Sequence, residues 1–206
     1  MVMYSAGITA KALIEDIEKE ADIAISVPTT SYIRWLNALE QLLYSEFIKE
    51  QRVASLDVID GIVDLSDIET SEYEDSVKAD DVISVLSGIN EFIKCTPMAF
   101  ELFNGDVDGY YTVIDGDKIK VYDPSDSGEV KIVYKARPAP KTAENYAAAM
   151  VALPIEFIEL VAAKLRGEAY KLANEDELSA KWLNDYNVQL ENFKVWIAER
   201  TKAYGG

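Results

Sequence analysis

The residues best spaced for chemistry lie between Asn104 and Asp115, where Asn104, Asp106, Asp108, Gly109 and Asp115 follow the pattern N-x-D-x-D-G-x5-D. Oxygen ligands on alternate positions with a glycine turn between them can wrap a hard cation such as calcium. The fit is partial. Asn stands first where Asp is usual, Asp stands last where a bidentate Glu is usual, and the residues after Gly109 alternate like a strand instead of opening a helix. Turns select Asn, Asp and Gly for their own reasons. The stretch DPSDSGE, Asp123 to Glu129, is a weaker version of the same pattern, and no metal is assigned to either.

Other chemistry is excluded more firmly. The chain has no histidine, which removes Ser-His and Cys-His nucleophile pairs, histidine-ligated zinc and imidazole acid/base catalysis. Paired carboxylates abound in a chain this acidic, and without a pocket their spacing carries no meaning. The GxxxxG-like spacings lack the Lys-Ser/Thr that cradles phosphate. The single cysteine, Cys95, cannot form an internal disulfide and reads as a small hydrophobe. Trp35, Trp182 and Trp196 read as core or interface anchors, since large rings supply contact area at low entropy cost. No catalytic residue and no cofactor is assigned.

The elements that position these residues change period twice. Ala10, Leu13, Ile14, Ile17 and Ala21 recur at helical spacing. After a break at Pro28, Thr29 or Thr30 can cap a second helix over Ser31 to Lys49, whose stripe is Tyr32, Leu36, Leu39, Leu43 and Phe47, widened by Trp35, Leu42 and Ile48. From Gln51 to Pro138 the period falls towards two and strands are expected. YYTVI, KIKVY and EVKIVY read as a three-strand meander in which Ile119, Val121, Val130 and Ile132 share faces with the first strand. Thr96 and Pro97 are placed as cap and first residue of a short helix. Leu56 to Asp81 holds ten Asp or Glu against Lys78 alone, which predicts an exposed, mobile loop. Pro138 and Pro140 then end the sheet by removing backbone donors.

Two more helices follow. Pro154 can stand in the first turn of one with the stripe Ile158, Val161, Leu165, Ala169 and Leu172. Asn174 and Glu177 have the spacing of a capping box opening the last, whose stripe is Leu178, Trp182, Tyr186, Leu190, Phe193 and Ile197. The short connection predicts an antiparallel hairpin, and Val188, Val195 and Trp196 fall off its main stripe. The expected fold is α+β: a bundle of two N-terminal and two C-terminal helices with an embedded antiparallel β-sheet subdomain. Its divisions are 1–50 (N-terminal helices), 51–140 (β-rich insertion) and 141–206 (helical hairpin and tail), forming one composite domain.

Composition agrees with a globular chain of 206 residues, 49% hydrophobic and 28% charged. No apolar run approaches the roughly 20 residues that cross a bilayer, and no basic-then-apolar leader opens the chain, so it is expected to be soluble and unexported with no membrane partner. Thirty-seven acidic against twenty basic residues give a formal charge of −17, which opposes binding to phosphate backbones. That charge suits plain solubility and equally a surface past which DNA slides. Composition does not choose between them.

Taken in order, the segments resemble bacteriophage head-tail connector (portal adaptor) proteins. TTSYIRWLNALEQLLYSEF is similar to a capped helix of that family with a Trp-Leu-Asn element, here Trp35, Leu36 and Asn37. YYTVIDGDKIKVYDPSDSGEVKIVYKARPAP is similar to its strand meander, ending in an I-x-Y-x-x-x-P phrase at Ile132, Tyr134 and Pro138. ALPIEFIELVAAKLRGEAYKLANEDELSAKWLNDYNVQLENFKVWI resembles the closing helix pair, with Leu153 and Pro154 before an Ala-rich helix and Glu175 to Ala180 starting the next. The acidic Leu56 to Asp81 stretch has no counterpart.

The resemblance implies a virion structural protein of the neck, assembled in the host cytoplasm. Its partners are the portal protein, a tail or neck protein, and further copies of itself in a ring, commonly twelve-fold. DNA passes through the channel without sequence-specific binding. It also implies a docking role for the VWIAERTKAYGG end, so that Trp196 and Tyr204, together with Trp182, are the candidate protein-interaction residues. Three alternatives stay open: another neck, tail-completion or baseplate component, a non-viral helical interaction module, and a carboxylate hydrolase.

Overall fold

The computed structural model describes residues 6–20, 26–70, 74–102, 109–122 and 128–204, with side chains described to residue 200. In chain order its elements are α1 (Ala10–Glu20), α2 (Thr29–Leu43), β1 (Gln51–Asp57), β2 (Ile62–Asp64), β3 (Val82–Ser87), β4 (Asn90–Glu91), β5 (Ile93–Lys94), α3 (Pro97–Leu102), β6 (Tyr110–Asp115), β7 (Lys118–Tyr122), β8 (Glu129–Lys135), α4 (Ile158–Leu172) and α5 (Asp176–Tyr204). The fold is α+β. Two compact units share the chain: Met1–Ile48 with Pro138–Gly206, and Lys49–Arg137.

In the helical unit, spacing by threes and fours puts Ala10, Leu13, Ile14 and Ile17 of α1 into the core. The Thr9 hydroxyl closes its N-terminus by accepting from the Ala12 N–H at 3.2 Å. α2 starts earlier than a threonine cap predicts. Pro28, in extended conformation, is its N-cap and makes no side-chain bond, because a proline ring carries no acceptor for the free N–H groups of the first turn. Tyr32, Leu36, Leu39 and Leu43 are buried as the stripe requires. The helix then widens into a π turn at Tyr44–Ile48, and Lys49 at φ +49 ends it.

The junction of α4 and α5 corrects the capping-box reading. Asn174 has φ +59, the Glu175 N–H reaches the Tyr170 carbonyl at 2.9 Å, and the Asn174 N–H reaches that of Lys171 at 3.2 Å. This is the bond pair of a Schellman motif, which closes a C-terminus, and Asn tolerates the left-handed position better than most residues. Asn174 therefore terminates α4 instead of opening α5. Pro154 likewise caps a single 3-10 turn, Ile155–Phe157, ahead of α4. Close approach of the two helices depends on Gly167: a Cβ there would stand 2.7 Å from Leu183 Cδ2 and 3.3 Å from the Leu183 backbone nitrogen. The buried Ser179 hydroxyl donates to the Gly167 carbonyl at 2.9 Å beside it.

The second unit holds two four-stranded sheets, β1-β8-β3-β4 and β2-β7-β6-β5. The expected three-strand meander is thus divided. β6 and β7 pair as read, but β8 leaves for the other sheet and pairs with β1 from Gln51↔Lys135 to Asp57↔Glu129. Alternation says which face of a strand is apolar, not which neighbour it takes. Either arrangement buries Ile119, Val121, Val130 and Ile132, and all four share one core with Tyr111 and Tyr134. The pairing of β5 with β6 is parallel, a departure from the antiparallel expectation. Thr96 caps α3 as read, its hydroxyl accepting from the Ala99 N–H at 3.2 Å.

Among its described residues the acidic segment is not exposed throughout. Leu65, Ile68, Val77 and Ala79 fill the core of the sheets, and Glu74 and Asp81 are themselves buried. Residues 71–73 lie outside the described residues, as do Asn104, Asp106 and Asp108 of the cation-like pattern and most of DPSDSGE.

Two outcomes follow from this packing. Gly167→Ala gains about 1 kcal/mol of helix propensity, but overpacking against backbone costs about 1–3 kcal/mol. A lowered urea midpoint is expected, read by tryptophan fluorescence, since Trp35, Trp182 and Trp196 all lie in the helical unit. Tyr32, edge-on to Trp35 at 5.6 Å, has its phenol pushed up to about 12 by burial and then by the Glu18 carboxylate. The folded state therefore holds that proton more tightly than the unfolded chain. The resulting stability is complete below pH about 10 and is lost as pH climbs towards about 12. Urea midpoints should fall across that window, and fall less steeply in Tyr32→Phe.

Candidate interaction site

α5 is 29 residues long and α4 is 15, or about 44 Å against about 22 Å at the helical rise. α4 can flank only the first half of α5. Further along, Phe193 is buried with its ring edge-on to Phe157 at 4.9 Å and to Phe47 at 6.5 Å. Trp196 joins the same group, 5.2 Å from Phe157 and stacked on Phe193 at 6.1 Å. The Arg200 guanidinium lies over the Trp196 ring at 4.2 Å. Such edge-on and stacked pairs add about 0.5–1.5 kcal/mol each beyond area burial. The ring cluster ties this part of α5 to the helical core.

Trp182 sits elsewhere, about 21 Å back along the same helix. Arg166 covers it at 4.7 Å, and that buried guanidinium also pairs with Glu20 and, at 3.6 Å, with Glu159. The fold does not bring Trp182 and Trp196 together. Tyr204 ends α5, and its side chain lies outside the described residues. Open apolar surface lies on other residues of the helices: Val188 and Val195, two turns apart on one face of α5, are 54% and 58% exposed, and Leu42 of α2 is 46% exposed.

A polar clamp missed by periodicity lies on α2. Asn37 donates from Nδ2 to the Lys141 carbonyl at 2.8 Å and accepts the Lys141 N–H on Oδ1 at 2.8 Å. Gln41, one turn on, donates to the Pro138 carbonyl at 3.2 Å. Between them Glu40, 1% exposed, pairs with the Lys141 ammonium and accepts the Ala152 N–H at 2.8 Å. Burial pushes the Glu40 carboxyl up, against the pull of that ammonium. A glutamate among Leu36, Leu39 and Leu43 on an apolar stripe was the available signal. Nothing local marks Lys141 as its partner.

The sheet unit has its own charge centre. Arg52 bridges Glu50 at 3.0 Å and Glu74 at 2.5 Å, and Arg137 pairs with Asp81. Burial pushes the Asp81 carboxyl up, while the Lys78 N–H and Arg137 work the other way. Each carboxylate is tied to a guanidinium, which suits holding chain in place. Burial pushes the Cys95 thiol up as well, away from the range of reactive thiolates. Among the described residues no group of three or more His, Cys, Asp or Glu could hold a metal ion, and no helix is long and apolar enough to cross a membrane.

A family model described as SU10 adaptor protein matches residues 8–204, spanning both units and the whole of α5. The chain belongs to the SU10 adaptor family. It is therefore a phage structural adaptor. No curated protein matches it. In this SU10-family adaptor Val188 and Val195 are exposed apolar positions on α5, and Phe157, Phe193 and Trp196 pack together nearer its end. The Glu40–Lys141 clamp holds α2 and the return of the chain at Pro138–Lys141 within the same unit.

Glu40→Gln leaves the Lys141 ammonium, 2% exposed, without a counter-charge, a change worth about 3–5 kcal/mol of lost stability. The double variant Glu40→Gln/Lys141→Met removes the stranded charge and should recover most of that loss. Urea unfolding followed by tryptophan fluorescence compares the three proteins.

Proposed function

We propose that the adaptor is a ring-forming head-tail connector that joins the portal to the tail and extends the DNA channel. What carries this reading is a family match running through both units to the end of α5, on a bundle whose long helix keeps Val188 and Val195 open to solvent. Copies pack side by side through these helix faces into a ring, taken as a dodecamer, beneath the portal protein. The end of α5, with Trp196 and Tyr204, docks on the portal, and Trp182 supports the ring contact. A tail or neck protein binds the opposite side.

The protein works by geometry and not by catalysis. Its formal charge of −17 suits a passage that duplex DNA crosses without adhering, since phosphate binding requires clustered Lys and Arg. Its place is the neck of the virion, reached by assembly in the host cytoplasm.

Sedimentation with and without the portal ring encoded by the same genome, followed by imaging, tests the reading. Stoichiometric co-sedimentation as a ring is the expected result. Val188→Glu and Val195→Glu, on exposed positions, should leave the fold intact and weaken ring formation at least about tenfold, since a charge buried at an interface is costly. A chain that stays small beside intact portal contradicts the proposal.

A further inference from the structure

Among the described strands β1 lies at the end of its sheet, with β8 as its only neighbour. Which of its backbone groups are used follows from parity. Val58 donates to the Gly128 carbonyl at 2.8 Å and Ala136 donates to that of Glu50 at 2.9 Å. Both are directly opposed pairs in the register that sets Gln51 against Lys135 and Asp57 against Glu129. Bonded and non-bonded pairs alternate along an antiparallel ladder. Arg52, Ala54 and Leu56 therefore turn their N–H and C=O groups to β8, as Glu50 and Val58 do. Gln51, Val53, Ser55 and Asp57 turn theirs to the open side.

All four of these residues are exposed, Val53 by 62%. Natural edges are usually blunted by proline, lysine, a bulge or very short length. β1 has seven residues, no proline, no lysine and an unbroken register. The other sheet ends differ. β4 and β5 have two residues each, and β2 has three, with Ile62 already exchanging two 2.9 Å bonds with Ile59. Among the described strands, β1 alone combines length with open backbone groups.

We propose that β1 is a docking strand, completed in the assembled particle by an extended segment of a neighbouring protein that is not a second copy of this chain. The inference rests on the ring reading above. The backbone states the chemistry of the occupant, because only an extended chain matches donors and acceptors repeating every second residue. The side chains add to it. Lys or Arg opposite Asp57 and a β-branched residue opposite Val53 make favourable cross-strand pairs, and proline is excluded where the segment must donate to β1. Among the described strands a second copy offers no edge of matching length except β1 itself, and β1 against β1 is a two-fold contact that closes as a dimer and cannot propagate around a ring.

Residue-resolved amide hydrogen exchange on the full chain, free and in neck assemblies isolated from particles, tests the proposal. In the free chain Val53, Ser55 and Asp57 should exchange within about tenfold of an unstructured peptide, while Ala54 and Leu56 are slower by about 100-fold or more. In the assemblies Val53 and Ser55 should slow by about 100-fold. Ser55→Pro deletes an outward N–H and leaves the β8 ladder intact, so it should melt like the parent and fail to incorporate. Val53→Lys, an edge-blunting change that keeps the backbone donor, should weaken incorporation as well.

Val53 and Ser55 amides that stay fast in assemblies containing the chain overturn the proposal and leave the ring reading standing. Protection that appears with rising concentration of the free chain alone overturns the stated occupant in favour of a second copy. Neck assemblies without this chain overturn both readings, and the absence of the chain distinguishes that failure from the first.

Discussion

The buried pair of Glu40 and Lys141 is the constraint on which the bundle depends. An inserted unit of the size of Lys49–Arg137 separates α2 from α4 by a long stretch of chain, and closing so long a loop has an entropic cost that local propensity does not offset. The returning segment must be recognised by specific bonds. α2 does this with Asn37 on both backbone groups of Lys141, Glu40 on its ammonium, and Gln41 on the Pro138 carbonyl. A charge pair this deep contributes little net stability against an apolar alternative, but it penalises every arrangement that leaves either charge alone. Its effect is to select one path back into the bundle.

The sheet unit uses the same device for its acidic segment. In an unpaired state Glu74 and Asp81 would carry a desolvation cost of several kcal/mol each. Arg52 and Arg137 supply the opposite charges, so the segment can bring Leu65, Ile68, Val77 and Ala79 into the core. An acid count alone misreads such a stretch. The apolar residues between the acids, and two arginines distant in sequence, decide its structure.

Rigid elements of the adaptor leave some apolar and backbone groups open. Phe157, Phe193 and Trp196 fix the course of α5 by ring contacts inside the helical unit, while Val188 and Val195 stay in solvent on the same helix. The tryptophans that composition singles out are partly engaged within the chain, Trp182 beneath Arg166 and Trp196 beneath Arg200. In the sheet unit, β1 has a backbone edge whose open groups are set by register and not by side-chain type. Neither feature demands chemistry of the kind that histidine or a metal would bring.

Periodicity in the sequence was enough to place the helices, because a stripe such as Leu36, Leu39 and Leu43 has one way to reach a core and the local spacing contains it. Thr96 and Pro97 were legible for the same reason, since a cap is a local bond. The absence of histidine removed imidazole chemistry, and the order of the segments carried the resemblance to phage adaptors. Tertiary structure alone decided the partner of β8, the pairing of Glu40 with Lys141, the burial of Glu74 and Asp81, and which edge of β1 is open. Each of these joins residues far apart along the chain. Alternation and charge state what a residue needs, an apolar face or an opposite charge, and many distant residues can meet that need. Only the closed fold selects among them.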